Sequence, residues 1–214
     1  MQRTIREGQM NSACVLNQLP HSPALYGLGP ADSLQGEITI WAGKKYHTTV
    51  DATGHKPVPM TLHHHKAAFF VFSEVQAWTA YHLQGEVPNL QALSDSLARL
   101  AVSHGLNPGA PFPFLVKGEL SRLRWHVLKK TPIHAPHDPE VHKASKIYFE
   151  ENDKNYEVLG FFATNQGGIY IHHGARIHVH LVDPSSGLTG HVDEAAWKNA
   201  ELFFPKIHPF PTKP

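Results

Sequence analysis

The segment that most constrains this chain is His178-Val179-His180, with His191 eleven residues beyond it. Side chains two apart on a β-strand leave the same face, so His178 and His180 project together. Residues 169–182 read as that strand, because Ile169, Ile171, Ile177, Val179, Leu181 and Val182 are β-branched or apolar. Asp183-Pro184-Ser185-Ser186-Gly187 is turn chemistry, and Leu188-Thr189-Gly190-His191-Val192 runs back from it. A hairpin of this kind can bring His191 beside the pair. Three imidazoles from two neighbouring strands make a facial metal site with open positions. A catalytic zinc-type ion keeps such a position, whereas a structural zinc is usually closed by four protein ligands. The chain has 18 histidines, so the same spacing also fits three unrelated polar residues on a hairpin.

A length of 214 residues makes one large domain or two small ones, enough to bury a core. Hydrophobic content of 41% and charged content of 17%, with 16 Gly and 17 Pro, favour a turn-rich β or α+β protein over a helical bundle. The 19 Lys and Arg are scattered, which argues against a nucleic-acid partner. Cys14 is the only cysteine, so no intrachain disulfide or cysteine-based zinc knuckle can form. The longest apolar run, 67–72, is too short to span a membrane. Met1–Arg6 has no apolar core, so no secretory signal is expected in the chain as given. On that basis the expected location is cytoplasmic, or periplasmic or secreted if a leader has been removed.

The fold class expected is α+β, mostly β. Strands are expected at Glu37–Trp41, 45–50 and 68–72, the last fully buried around Phe69 and Val71. One helix is expected over about 89–104. Asn89 is its N-cap, Leu90, Leu93, Leu97, Leu100 and Ala101 recur at helical spacing, and Gly105 stops it. Asn107-Pro108-Gly109-Ala110-Pro111 reads as a linker, dividing an N-terminal β-rich domain, 1–106, from a C-terminal antiparallel β domain, 107–214. The second half opens with two strands, 112–116 and 119–128, around Gly118, followed by a polar loop over 129–139. Strands at 146–149 and 156–162 precede the histidine hairpin, and the proline-rich tail from Phe203 onward is expected to be extended.

Further residues could carry chemistry. Glu37 stands at a strand edge, where a carboxylate is usually just solvated. Arg176 is two residues before His178 and on alternation shares its face, so its guanidinium could hold a substrate carboxylate; a surface cation on an edge strand is the equal alternative. His126 follows Arg122 and Arg124 at strand alternation, which gives either a cationic or a merely solvated face. His172 and His173 read as pocket residues rather than ligands, and Gly174 as a bulge that disturbs their parity. His63-His64-His65 and His142 carry weaker signals.

Taken together, these residues resemble the α-acetolactate decarboxylases, from about Tyr26 to Val192. Tyr26-Gly27-Leu28-Gly29, Leu34-Gln35-Gly36-Glu37-Ile38 and Gly43-Lys44-Lys45-Tyr46 are similar to the family's G-x-G, L-D-G-E-[LM] and D-G-x-x-Y opening. Residues 114–128 resemble the strand pair that ends in the family's active-site arginine. Gly160-Phe161-Phe162, His178-Val179-His180-Leu181-Val182-Asp183 and Gly190-His191-Val192 resemble G-F-x, H-x-H-F-[IL]-x-[DE] and G-G-H-V, with the same interval to the third histidine.

The resemblance implies two β-sheet domains with a metal between them. It implies that His178, His180 and His191 bind a divalent metal, zinc first among the candidates, and that Glu37 reaches the same site as a proton donor. It implies a small hydroxy-keto acid substrate and a lyase of acetoin biosynthesis that turns 2-acetolactate into acetoin and carbon dioxide. A homodimer stays open. The chain also departs from the family. Aligning on Gly118 places His126 where the family has its arginine, leaving Arg176 or Arg124 to supply a fixed cation. The family's longer tail returns a glutamate to the site, and Pro209-Phe210-Pro211-Thr212-Lys213-Pro214 offers none. The interval from Gly160 to His178 is longer than the family's. These departures keep two alternatives alive: a metal-dependent lyase or isomerase acting on another hydroxy-keto compound, and a non-catalytic metal- or ligand-binding protein.

Overall fold

The computed structural model describes residues 14–61, 66–129, 145–163 and 176–206. In chain order the strands are β1 (Cys14–Val15), β2 (Leu25–Pro30), β3 (Glu37–Trp41), β4 (Lys44–Val50), β5 (Pro57–Pro59), β6 (Lys66–Ala67), β7 (Val71–Glu74) and β8 (Trp78–His82). Helix α1 (Leu90–Ser103) follows, then β9 (Phe112–Leu128), β10 (Lys146–Glu151), β11 (Glu157–Phe162), β12 (Ile177–Asp183) and β13 (Leu188–Pro205).

The first large sheet has the order β5-β4-β3-β2-β7. Alternation along β3 sends Ile38 and Ile40 into a small core with Leu16, Leu19, Leu25 and Ala67. Glu37 and Thr39 leave the opposite face. The second sheet has the order β10-β9-β11-β12-β13-β8, with a further pairing of β9 with β13 that closes it on itself. One face of this second sheet carries the main core, where Trp125, Val179, Leu181, Val192 and Trp197 pack with Leu93, Leu97, Leu100 and Ala101 of α1. Its other face meets the first sheet, with Leu115, Leu159 and Phe161 packing on Tyr26 and Leu28. The two large sheets thus lie face to face, with a two-stranded sheet of β1 and β6 beside them, and His126, His178, His180 and His191 lie on the face of the second sheet that meets the first.

The helix is built as expected. The Asn89 side chain accepts a hydrogen bond from the Ala92 N–H at 2.8 Å, and Gly105 takes a left-handed φ of 74° just beyond the helix end. Both α1 and β8 belong with the second sheet, so the chain changes sheets after β7 and not at the 107–111 linker. The two strands expected around Gly118 are one long strand, β9. Gly118 has φ 140° and marks a register shift against β13 that bends the strand without ending it. The strand expected over 68–72 is displaced to β7, where Val71 is half-buried and Phe72 is 43% exposed, because β7 is the edge of its sheet. Phe203 to Pro205 continue β13 beside β8.

Glycine at 160 is a packing requirement. A Cβ there would lie 2.1 Å from Phe114 Cζ, inside the main core. Gly160→Ala is expected to cost about 1–3 kcal/mol of stability in urea unfolding, the usual range for an overpacked core.

Candidate metal centre

The hairpin of β12 and β13 sets the site. Asp183 accepts hydrogen bonds from the Ser185 N–H at 2.9 Å and from the Ser185 and Ser186 hydroxyls at 2.6 Å each, and Gly187 takes φ 80°. This turn pairs Asp183 with Leu188, and the register then puts His180 directly opposite His191. On the far side of β13, His191 pairs with His126 of β9. Cross-strand partners share a face, so His180, His191 and His126 form one row across three strands, with His178 one step along β12. One ligand nitrogen from each of His178, His180 and His191 lies within 4.8 Å of the others.

His180 is fully buried. Its Nδ1 is 3.0 Å from the Thr39 hydroxyl, and its Nε2 has no hydrogen-bond partner. Glu37 Oε2 stands 3.6 Å from that Nε2 across the sheet interface. Burial, then the neighbouring His178 and His126, hold His180 well below the ordinary histidine range, so its ring is neutral. A buried, neutral imidazole with an unsatisfied nitrogen in a cluster of three is the donor set a divalent ion requires. The residues present therefore fit a zinc-type metal.

Glu37 is 2% exposed, and burial raises its carboxyl well above the ordinary range. The Asp193 charge adds to that rise, while Lys146 and the Leu128 N–H oppose it. Burial therefore favours the protonated form of this carboxyl.

His126 is buried, and its Nδ1 stands 2.5 Å from Asp193 Oδ2. The register shift between Val192 and Glu194 makes Asp193 the extra residue of a bulge, which turns its side chain toward His126. Lys146 Nζ is 3.8 Å from the other Asp193 oxygen and is itself largely buried. A second group of ligand atoms, from His126, His191 and Asp193, adjoins the first.

Among the residues around the histidines, Thr39, Asp193 and Lys146 were not foreseen. For Asp193 a signal existed, since it alternates with His191. For Lys146 none did, because the pairing of β10 with β9 is not a local property of the sequence. Two readings are open for Arg176, and the structure places its side chain away from the histidine cluster. Its guanidinium pairs with Asp95 of α1 and lies over the Phe162 ring, on the side of the sheet that holds the main core. Residue 176 precedes the first paired residue of β12, so strand parity does not govern it. Arg124 is spent on Glu150 and Glu194, with its guanidinium over the Tyr148 ring. His63, His64, His65, His142, His172 and His173 lie outside the described residues. Among the described residues no helix is long and apolar enough to cross a membrane.

The comparisons with known proteins agree with this architecture. The sequence profile of the family described as alpha-acetolactate decarboxylase matches residues 3–213. Among solved structures, alpha-acetolactate decarboxylase from Bacillus subtilis strain 168 superposes with a TM-score of 0.73 at 15% identity, covering 97% of this chain and 83% of that one. Acetolactate decarboxylase from Bacillus subtilis subspecies spizizenii gives a TM-score of 0.74 at 15% identity, covering 97% of this chain and 84% of that one. A Staphylococcus aureus protein of unknown function similar to alpha-acetolactate decarboxylase gives 0.66 at 13% identity, covering 93% of this chain and 80% of that one. A search of curated proteins by sequence finds no match. At these identities the structures establish the shared fold, and the profile match over nearly the whole length adds the lineage: the chain belongs to the alpha-acetolactate decarboxylase family.

Proposed function

We propose that this protein is a metal-dependent decarboxylase that converts 2-acetolactate, or a related 2-hydroxy-3-oxo acid, to acetoin and carbon dioxide. The observation that carries the reading is the cluster of His178, His180 and His191 facing Glu37 across a buried sheet interface, in a chain of this family. His178, His180 and His191 would hold the ion, with zinc the first candidate. When bound, such an ion supplies Lewis acidity toward the ketone and hydroxyl oxygens of the substrate.

The reaction breaks the bond between the carboxylate carbon and the adjacent carbon. Carbon dioxide leaves, and the electron pair moves toward the former ketone oxygen. A proton must then reach the carbon that lost the carboxylate. Glu37 is placed to deliver it, since burial favours its protonated form and its carboxyl faces the histidine cluster. The packing of the two sheets buries Glu37, His178 and His180, while His191 stays partly exposed. In the position the family gives to arginine stands His126, oriented by Asp193. We assign to His126, with Lys146 beside Asp193, the task of holding the substrate carboxylate until it departs. Lys146 adds a fixed charge that histidine alone does not guarantee. The replaced arginine also supports a second reading, a lyase or isomerase acting on a different hydroxy-keto compound with the same metal site.

The test is acetoin release from racemic acetolactate by zinc-loaded protein. The expected turnover is on the order of 1–1000 per second. Glu37→Gln is expected to lower kcat by about 100-fold or more, the usual scale for a lost proton donor. Lys146→Met is expected to lower kcat/KM by about tenfold or more through loss of one charge-assisted contact. Arg176→Ala is expected to leave kcat/KM unchanged, because its partner is Asp95. Zinc bound without acetoin release would favour the second reading.

A further inference from the structure

The hydroxyl groups beside His180 have a hydrogen-bond direction that the geometry fixes. Thr189 Oγ1 is 2.7 Å from the Leu181 carbonyl oxygen, which can only accept, so the single Thr189 hydroxyl proton is committed there. Thr39 Oγ1 lies 2.6 Å from Thr189 Oγ1. With the Thr189 proton already used, Thr39 must donate to Thr189. The Thr39 proton is then also used, and its remaining contact, 3.0 Å from His180 Nδ1, requires that nitrogen to donate. The chain therefore runs from His180 Nδ1–H to Thr39, from Thr39 to Thr189, and from Thr189 to the Leu181 carbonyl. In a neutral ring a proton on Nδ1 leaves the lone pair on Nε2, the nitrogen that has no hydrogen-bond partner and stands 3.6 Å from Glu37 Oε2.

We infer that Thr39 and Thr189 are positioning residues that lock His180 in its Nδ1–H tautomer and present the Nε2 lone pair to the metal. The purpose of the lock rests on the metal reading above, but the tautomer does not. The relay also joins the two sheets. Thr39 belongs to β3 of the first sheet, and Thr189 to β13 of the second. A further link fixes the Thr189 backbone, whose N–H donates to the Thr48 hydroxyl of β4 at 2.7 Å. One ligand of the centre is therefore held by the partner sheet as well as by its own strand, so a shift between the sheets would disturb the ring. Outer partners of this kind usually set the orientation and basicity of a ligating histidine.

Two readouts test the inference, and only one of them involves metal. In metal-free protein labelled with nitrogen-15 in histidine, the His180 signals should show a protonated Nδ1 and an unprotonated Nε2. Thr39→Val keeps the side-chain shape and should lose that fixed tautomer. Thr189→Val frees the Thr39 hydroxyl to donate to Nδ1 instead, and should shift the proton to Nε2. Both variants should bind Zn²⁺ more weakly by about 10–100-fold, and Thr39→Ser should restore both tautomer and affinity. A wild-type His180 protonated on Nε2 would overturn the inference, as would valine variants with unchanged tautomer and unchanged Zn²⁺ affinity. Wild-type protein that fails to bind Zn²⁺ would count against the metal reading, and the nitrogen signals would still decide the relay.

Discussion

The register of the β12–β13 hairpin is the constraint on which the rest of this structure depends. A turn capped by Asp183 pairs Asp183 with Leu188, and that pairing places His180 against His191. A slip of one residue would send every side chain of β12 to the opposite face. His178 and His180 would then enter the main core, and Val179 and Leu181 would face the first sheet. The apolar demand of that core and the turn chemistry therefore specify the same register. The clustering of the histidines is a consequence of how the hairpin buries its apolar residues.

Around the hairpin, each sheet supplies a different part of the site. The second sheet gives the four histidines, three of them in one cross-strand row. The first sheet gives Glu37 and Thr39 from alternate positions of β3, whose other side chains, Ile38 and Ile40, anchor the strand in its own core. Residues of the interface thus divide into apolar contacts that hold the sheets together and polar ones that meet at the histidines. The apolar contacts are Leu115, Leu159 and Phe161 against Tyr26 and Leu28. The bulge at Asp193 is a departure from the ladder, and it orients His126. This follows the wider tendency of bulges to re-aim side chains beside functional sites.

What could be read from the sequence was what depends on local pattern. The N-cap at Asn89, the helix face of Leu93 and Leu97, and the turn after Asp183 all follow from residues a few positions apart. The register of the histidine hairpin follows from the same turn. The family's motifs supplied the fold of two facing sheets. What depends on long-range pairing was hidden. His126 reaches His191 only because β9 pairs with β13, and Lys146 reaches Asp193 only through β10. Thr39 and Thr189 are unremarkable in sequence, and they acquire a role because the sheets dock. The Arg176 pairing with Asp95 likewise depends on how α1 packs on the second sheet, which strand alternation does not encode. A linker rich in Pro and Gly reads as a domain boundary, whereas the packing of α1 on the second sheet is a long-range contact that local pattern does not encode.

The proposed function requires that His178, His180 and His191 hold a metal at the sheet interface and leave it an open position. X-ray absorption at the zinc edge of the loaded protein measures this directly. The account predicts three imidazole nitrogens at about 2.0–2.1 Å together with at least one oxygen ligand. Fewer than three imidazoles, or a closed shell of four protein ligands, would contradict it.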